Sequence, residues 1–203
     1  MAWQADRVDD GDRVLTLMEA HLASALGTDS GRASVSFLGT ERIDVLRFGP
    51  DSENLVRYVT LGMSRAPMTD PASEVVTADG PRAEFILTVR GPHDSALQQL
   101  AVLAASPAIE GLVVRPGARI ELGRPLWDGA AFTAVLVGEP GGVVSSLDDP
   151  AVDVLPIFPM TAHENAWARV HGSDALTERW LHHGTDLREP TRPAVALDPP
   201  PRG

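Results

Sequence analysis

The order in which two hydrophobic periodicities follow one another constrains this chain more than any other feature. A four-residue apolar repeat comes first, then alternating or continuous strand-like runs, then a helix, more short strands and two closing helices. That order is not the regular strand–helix alternation of a parallel doubly wound sheet. It predicts an α+β fold, with a mixed, largely antiparallel sheet and helices packed on it.

The first helix is read over Asp12 to Leu26, where Val14, Met18, Leu22 and Leu26, with Leu15 alongside, make one apolar stripe and Gly27 stops it. A polar stretch leads to "RIDVLRF" (42–48), and Gly49-Pro50-Asp51 turns the chain into "NLVRYVTLGMSRAP" (54–67). "AEFILTVR" (83–90) is a further strand, rich in β-branched and aromatic residues. Asp94 is placed to cap a helix through "SALQQLAVLAAS", with Pro107 just beyond its end. Short strands are expected near "RIEL" (119–122) and "AFTAVLVG" (131–138), with "GRPLWDG" as a turn between them. "VDVLPIFPM" (152–160) is apolar enough to be buried, but Pro156 argues for an edge or bulge position. Thr161-Ala-His-Glu164 reads as a capping box opening a third helix, Gly172 closes it, and Ser173 or Asp174 opens a fourth. A single domain is expected over 1–184. From Thr185 onward five prolines and few apolar residues predict a disordered tail, 185–203.

Charge and composition then exclude whole classes of function. The formal charge of −11 argues against nonspecific binding to nucleic acid or an anionic membrane and favours a basic partner. With no cysteine there is no disulfide, thiolate nucleophile or cysteine metal site. The acidic N-terminus lacks the basic and apolar regions of a signal peptide, and no run reaches the ~18 apolar residues of a membrane span. The expected setting is cytoplasmic.

No catalytic constellation survives inspection. Gly62-Met63-Ser64-Arg65-Ala66 resembles a nucleophile elbow, but no helix pattern follows to supply the oxyanion amide. A small hydrolase using Ser64 stays open only as an alternative. His163 and His171 are eight residues apart with Trp167 between them, not at the i, i+4 spacing of a metal-binding pair. Glu164 is explained by the capping box, and Glu84 and Glu121 have no partner visible in sequence. No cofactor and no metal site are expected. Trp127 is either an interface anchor or a packed turn aromatic.

The ordered set of segments resembles the suppressor of fused (SUFU) family. "RYVTLGMS" (57–64) is similar to its signature strand, "AEFILTVR" to the next strand, and "ALQQLAVLA" (96–104) to its central helix. "GARIEL" (117–122), "FTAVLVGEP" (132–140), "VDVLPIFPMTAHE" (152–164) and "HGSDALTERW" (171–180) follow in the family's order, so the resemblance covers about 40–183. Arg65 stands where the animal protein has an acidic residue, and "FILTVR" lacks an acidic residue often found in that strand. The chain is also too short for the additional C-terminal domain of the animal protein.

The resemblance implies the fold of the family's N-terminal domain, no enzymatic activity and a protein partner. For bacterial single-domain members it implies an immunity protein that neutralises a cognate polymorphic toxin, which the charge suggests is basic. A regulatory scaffold unrelated to toxins is the alternative. Candidate partner-binding residues are Tyr58, Ser64, Arg65 and Trp127, with the Pro-, Asp- and Ser-rich loop 65–80 beside them.

Overall fold

The computed structural model describes residues 2–36, 41–69 and 80–197, of which 2–9 are described as backbone only. Eight strands form the sheet: β1 (Gly31–Val35), β2 (Ile43–Phe48), β3 (Leu55–Leu61), β4 (Ala83–Arg90), β5 (Arg119–Glu121), β6 (Phe132–Val137), β7 (Leu147–Asp148) and β8 (Ala151–Thr161). Their order is β1-β2-β3-β4-β8-β6-β5, with β7 paired to β8. Every pairing is antiparallel except β4 with β8. The expected mixed, largely antiparallel α+β architecture is the observed one.

Helix α1 (Ala2–Leu26) extends further toward the N-terminus than the apolar stripe alone predicts. Val14, Met18 and Leu22 bury that stripe against Leu46, Phe48, Val59, Leu61 and Ile86 on one face of the sheet. On the opposite face Val45, Val56, Tyr58, Phe85, Leu87 and Val89 pack against α2 (Ala96–Glu110) through Leu100, Ala101 and Ala104. Covering on both faces explains why β2, β3 and β4 read as nearly continuous apolar runs. A third cluster joins Ala134, Leu136 and Met160 to α3 (Ala162–His171) and α4 (Ser173–His182), through Ala168, Leu176 and Trp180. Among the described residues no helix is long and apolar enough to cross a membrane.

Four expectations are corrected. Pro107 lies inside α2, whose last turn runs on to Glu110. The carbonyl of Leu103 loses its main-chain donor there, but the Ser106 hydroxyl donates to it at 2.8 Å. Asp94 does not cap α2, because Arg47 and the Tyr58 hydroxyl occupy its carboxylate. Pro156 is not on an edge strand: β8 lies between β4 and β6, and Pro156 is the residue at which the β4 ladder ends. The segment after Thr185 is not a free tail as far as Leu197. Val195 and Leu197 are buried in the third cluster, and Arg192 is 6% exposed. Residues 198–203 lie outside the described residues.

Candidate functional site

Three of the four side chains singled out in the sequence face inward. Tyr58 is fully buried; its hydroxyl donates to Asp94 at 3.1 Å and accepts from the His93 amide at 2.7 Å. Burial, with Asp94 beside it, pushes the phenol up to about 12. Trp127 is 4% exposed, stacked on the His93 ring at 4.9 Å and edge-on to Phe132 at 5.5 Å. Tyr58 and Trp127 therefore both brace His93 under the start of α2, and Trp127 is the packed turn aromatic. Neither offers a rigidly docking partner a surface in this conformation.

Ser64 and Arg65 lie at the far end of β3. Ser64 is fully buried in a 3₁₀ turn, Met63–Arg65, that no α-helix follows among the described residues up to Thr69. Its hydroxyl donates to Glu84 at 2.7 Å and its amide at 2.9 Å. The same carboxylate accepts from the Gly62 amide at 2.8 Å and the Thr60 hydroxyl at 2.6 Å. Glu84 is thus held by four donors with no cation among them, and burial pushes its pKa up despite those hydrogen bonds. Gly62 has φ +146°, and a Cβ there would meet the Arg42 carbonyl at 2.9 Å, so the turn requires glycine. This buried lock gives Ser64 a structural task and no access to a substrate. Arg65 is partly exposed and pairs with Asp12, while Arg82 grips the Ser64 and Arg65 carbonyls at 2.8 and 2.6 Å. A groove of about 390 Å³ runs between Met63, Pro67 and Met68 on one side and Ala104 and Ala108 on the other. The continuation of that loop, 70–79, lies outside the described residues.

A second feature was hidden from sequence reasoning. The parallel ladder of β4 with β8 covers only Ala83–Ile86 against Asp153–Pro156. Pro156 has no amide hydrogen to donate, and its carbonyl accepts from Gly138 at 2.7 Å. From Ile157 onward β8 pairs with β6 instead. A Cβ at Gly138 would lie 2.6 Å from the tip of the half-buried Phe158 ring, so a larger residue there would have to push that ring aside. β4 runs on without β8 to Arg90, whose amide donates to the Arg188 carbonyl at 2.8 Å. Where the strands part, a cleft of about 420 Å³ opens, lined by Ile86, Thr88, Pro156 and Phe158 with Val143 and Leu187 on its walls. Arg57, Glu139 and Arg188 also line it. Apolar walls beside a strand that has lost its neighbour suit an extended peptide segment. The cleft arises from register and from a carbonyl that changes partner, neither of which a periodicity announces.

Among the described residues no group of three or more His, Asp or Glu side chains is arranged to hold a metal. Trp167 stacks on His171 at 4.1 Å.

A family model described as suppressor of fused protein matches residues 39–193. A search of curated proteins finds no match. Among solved structures, a SUFU homologue from Neisseria gonorrhoeae superposes with TM-score 0.71 at 18% identity, covering 94% of this chain and 99% of that one. A Sufu–Fu complex gives TM-score 0.60 at 13% identity over 89% of this chain and 91% of that one. Drosophila Suppressor of Fused gives 0.58 at 13% identity over 87% of this chain, which spans about half (49%) of the fly protein.

Proposed function

The chain belongs to the suppressor of fused family, and on that footing we propose that it is a non-enzymatic protein-binding domain, an immunity protein that neutralises a basic toxin in the cytoplasm. One observation carries the binding reading: the cleft where β4 loses β8 presents a strand edge and apolar walls together. A partner segment entering there gains main-chain hydrogen bonds from the edge and side-chain burial from Phe158 and Val143. The Sufu–Fu complex supports the class of partner, since that relative is seen bound to a protein. The charge of −11 supports a basic one. The hydrolase alternative draws no support from Ser64, which is buried against Glu84.

Val143 is 56% exposed, so Val143→Asp puts a charge on the cleft wall without disturbing a buried side chain. Wild-type and Val143→Asp baits are compared in affinity capture from the native cell. The wild type retains a basic protein that the variant loses, and co-expression of the wild type restores growth to cells making that protein. Equal capture by both baits moves the interface elsewhere. Capture without growth rescue makes the chain a regulatory scaffold rather than an immunity protein.

A further inference from the structure

The segment 185–197 is held at its two ends by interactions of opposite character. At the far end Arg192 and Glu164 form an ion pair at 2.7 Å with side chains 4% and 0% exposed. Arg192 also donates to the Pro159 carbonyl at 2.6 Å and lies 4.9 Å from the Phe132 ring centre and 5.5 Å from that of Trp180. Glu164 further accepts from the Trp180 indole at 3.0 Å and the Val195 amide at 3.1 Å. Salt does not reach such a pair, and breaking it leaves a buried charge.

At the near end the side-chain ties to β4 are ionic and wet, and Leu187 is the one apolar side chain of 185–190 that packs on the third cluster. Arg90 pairs with Asp186 at 3.1 Å and Glu189 at 3.5 Å, with side chains 36–39% exposed. Arg188 pairs with Asp186 at 2.8 Å and approaches Glu53 at 3.9 Å, its own side chain being 45% exposed. The Arg90 amide bond to the Arg188 carbonyl is the one main-chain tie to β4 among the turn and loop hydrogen bonds of the described residues. It lies just past Thr88, on the stretch of β4 that β8 has left. Leu187 and Arg188 also line the cleft.

We propose that residues 185–190 are a displaceable strap that closes the cleft from within the chain. The strap lifts off Arg90 when its exposed ion pairs are broken, while Arg192 in its Glu164 socket keeps the following residues in place. An incoming partner segment then replaces Arg188 beside β4, so the free protein masks the Arg90 end of its own strand edge. The partner role rests on the cleft reading above; the lifting itself does not.

Hydrogen exchange of single amides tests the lifting without any partner. The Arg90 amide reports the near end, and the Val195 amide, bound to Glu164, reports the far end. Between about 0.05 and about 1 M salt the Debye length shrinks from over 10 Å to about 3 Å. Screening several exposed pairs, each of small worth, is expected to give roughly tenfold faster exchange at Arg90 over that range. Val195 stays unchanged. Arg188→Ala gives the fast Arg90 exchange already at low salt and flattens its salt response. The proposal is overturned if Arg90 responds to neither salt nor Arg188→Ala, or if Val195 accelerates in step with it. If the strap lifts as described but Val143→Asp captures normally, the cleft reading falls and the strap stands.

Discussion

Glu84 and Glu164 are both fully buried carboxylates, and their surroundings push them in opposite directions. Burial raises both, but Glu164 also faces Arg192, the Trp180 indole and the Thr161 amide, and the balance leaves it below its ordinary value. Glu84 has hydroxyls and amides only, so burial prevails. The two signs give opposite pH behaviour. The stability Glu164 adds is present above the unfolded value near ~4.3 and is lost as pH falls through its lowered folded pKa. For Glu84 the favourable state is the protonated one. Its contribution is full below ~4.3 and is lost as pH rises through the raised folded pKa. Glu84→Gln mimics the protonated acid: its carbonyl can keep the Gly62 and Ser64 donors, and its amide can donate to Thr60. Urea unfolding at several pH values should show the variant gaining on the wild type as pH rises from about 4 toward 7. Parallel stability curves would remove the uncompensated charge from the account.

At the scale of elements, the segments most legible in sequence are those whose cause is local. β4 is read to the residue, because an eight-residue segment rich in β-branched and aromatic residues, bounded by Gly-Pro at each side, carries its own boundary signals. The capping box of α3 forms as read: the Thr161 hydroxyl accepts from the Glu164 amide at 3.2 Å, and the Thr161 amide donates back at 2.9 Å. β1 was not legible, since an edge strand of alternating half-buried and exposed residues looks like a polar loop until Asp44 gathers Ser34 and Arg32. Glu84 was visible as a charge inside an apolar strand, but the turn it locks lies across the sheet. Arg192 finds Glu164 twenty-eight residues away, a distance that no helical or strand period encodes. Helix α2 outlasts Pro107 because one hydroxyl substitutes for the missing amide. Ser106→Ala should therefore cost about 1 kcal/mol, the scale of a lost hydrogen bond, and shift the denaturation midpoint without changing its slope. It should also fray the turn from Pro107 to Glu110, seen as faster exchange of the Leu112 amide, which bonds to the Pro107 carbonyl. An unchanged midpoint and an unchanged Leu112 rate would mean the Leu103 carbonyl is satisfied some other way.

At the scale of the whole molecule, arginines are set into the acidic surface as internal ties rather than left as a basic patch. Arg32 pairs with Glu19, Arg47 with Asp94, Arg57 with Asp51, Arg65 with Asp12, Arg82 with Asp10 and Arg169 with Glu121. Each exposed pair stabilises the fold by little. Together they neutralise positive charge at short range and leave 28 acidic residues against 17 arginines, so the far field is negative. Such a field acts before contact. It should raise the association rate with a basic partner by ~10-fold or more at low salt, an advantage that fades as the Debye length falls to about 3 Å near 1 M. The cleft acts after contact, through burial and main-chain bonds, and belongs to the dissociation rate. The two contributions separate in stopped-flow binding with the captured partner. Raising salt should slow association, and Val143→Asp should speed dissociation while leaving most of the salt slope of association intact. An association rate that ignores salt would make the charge incidental to recognition. A Val143→Asp variant that changes only association would place Val143 in the encounter, outside the closed interface.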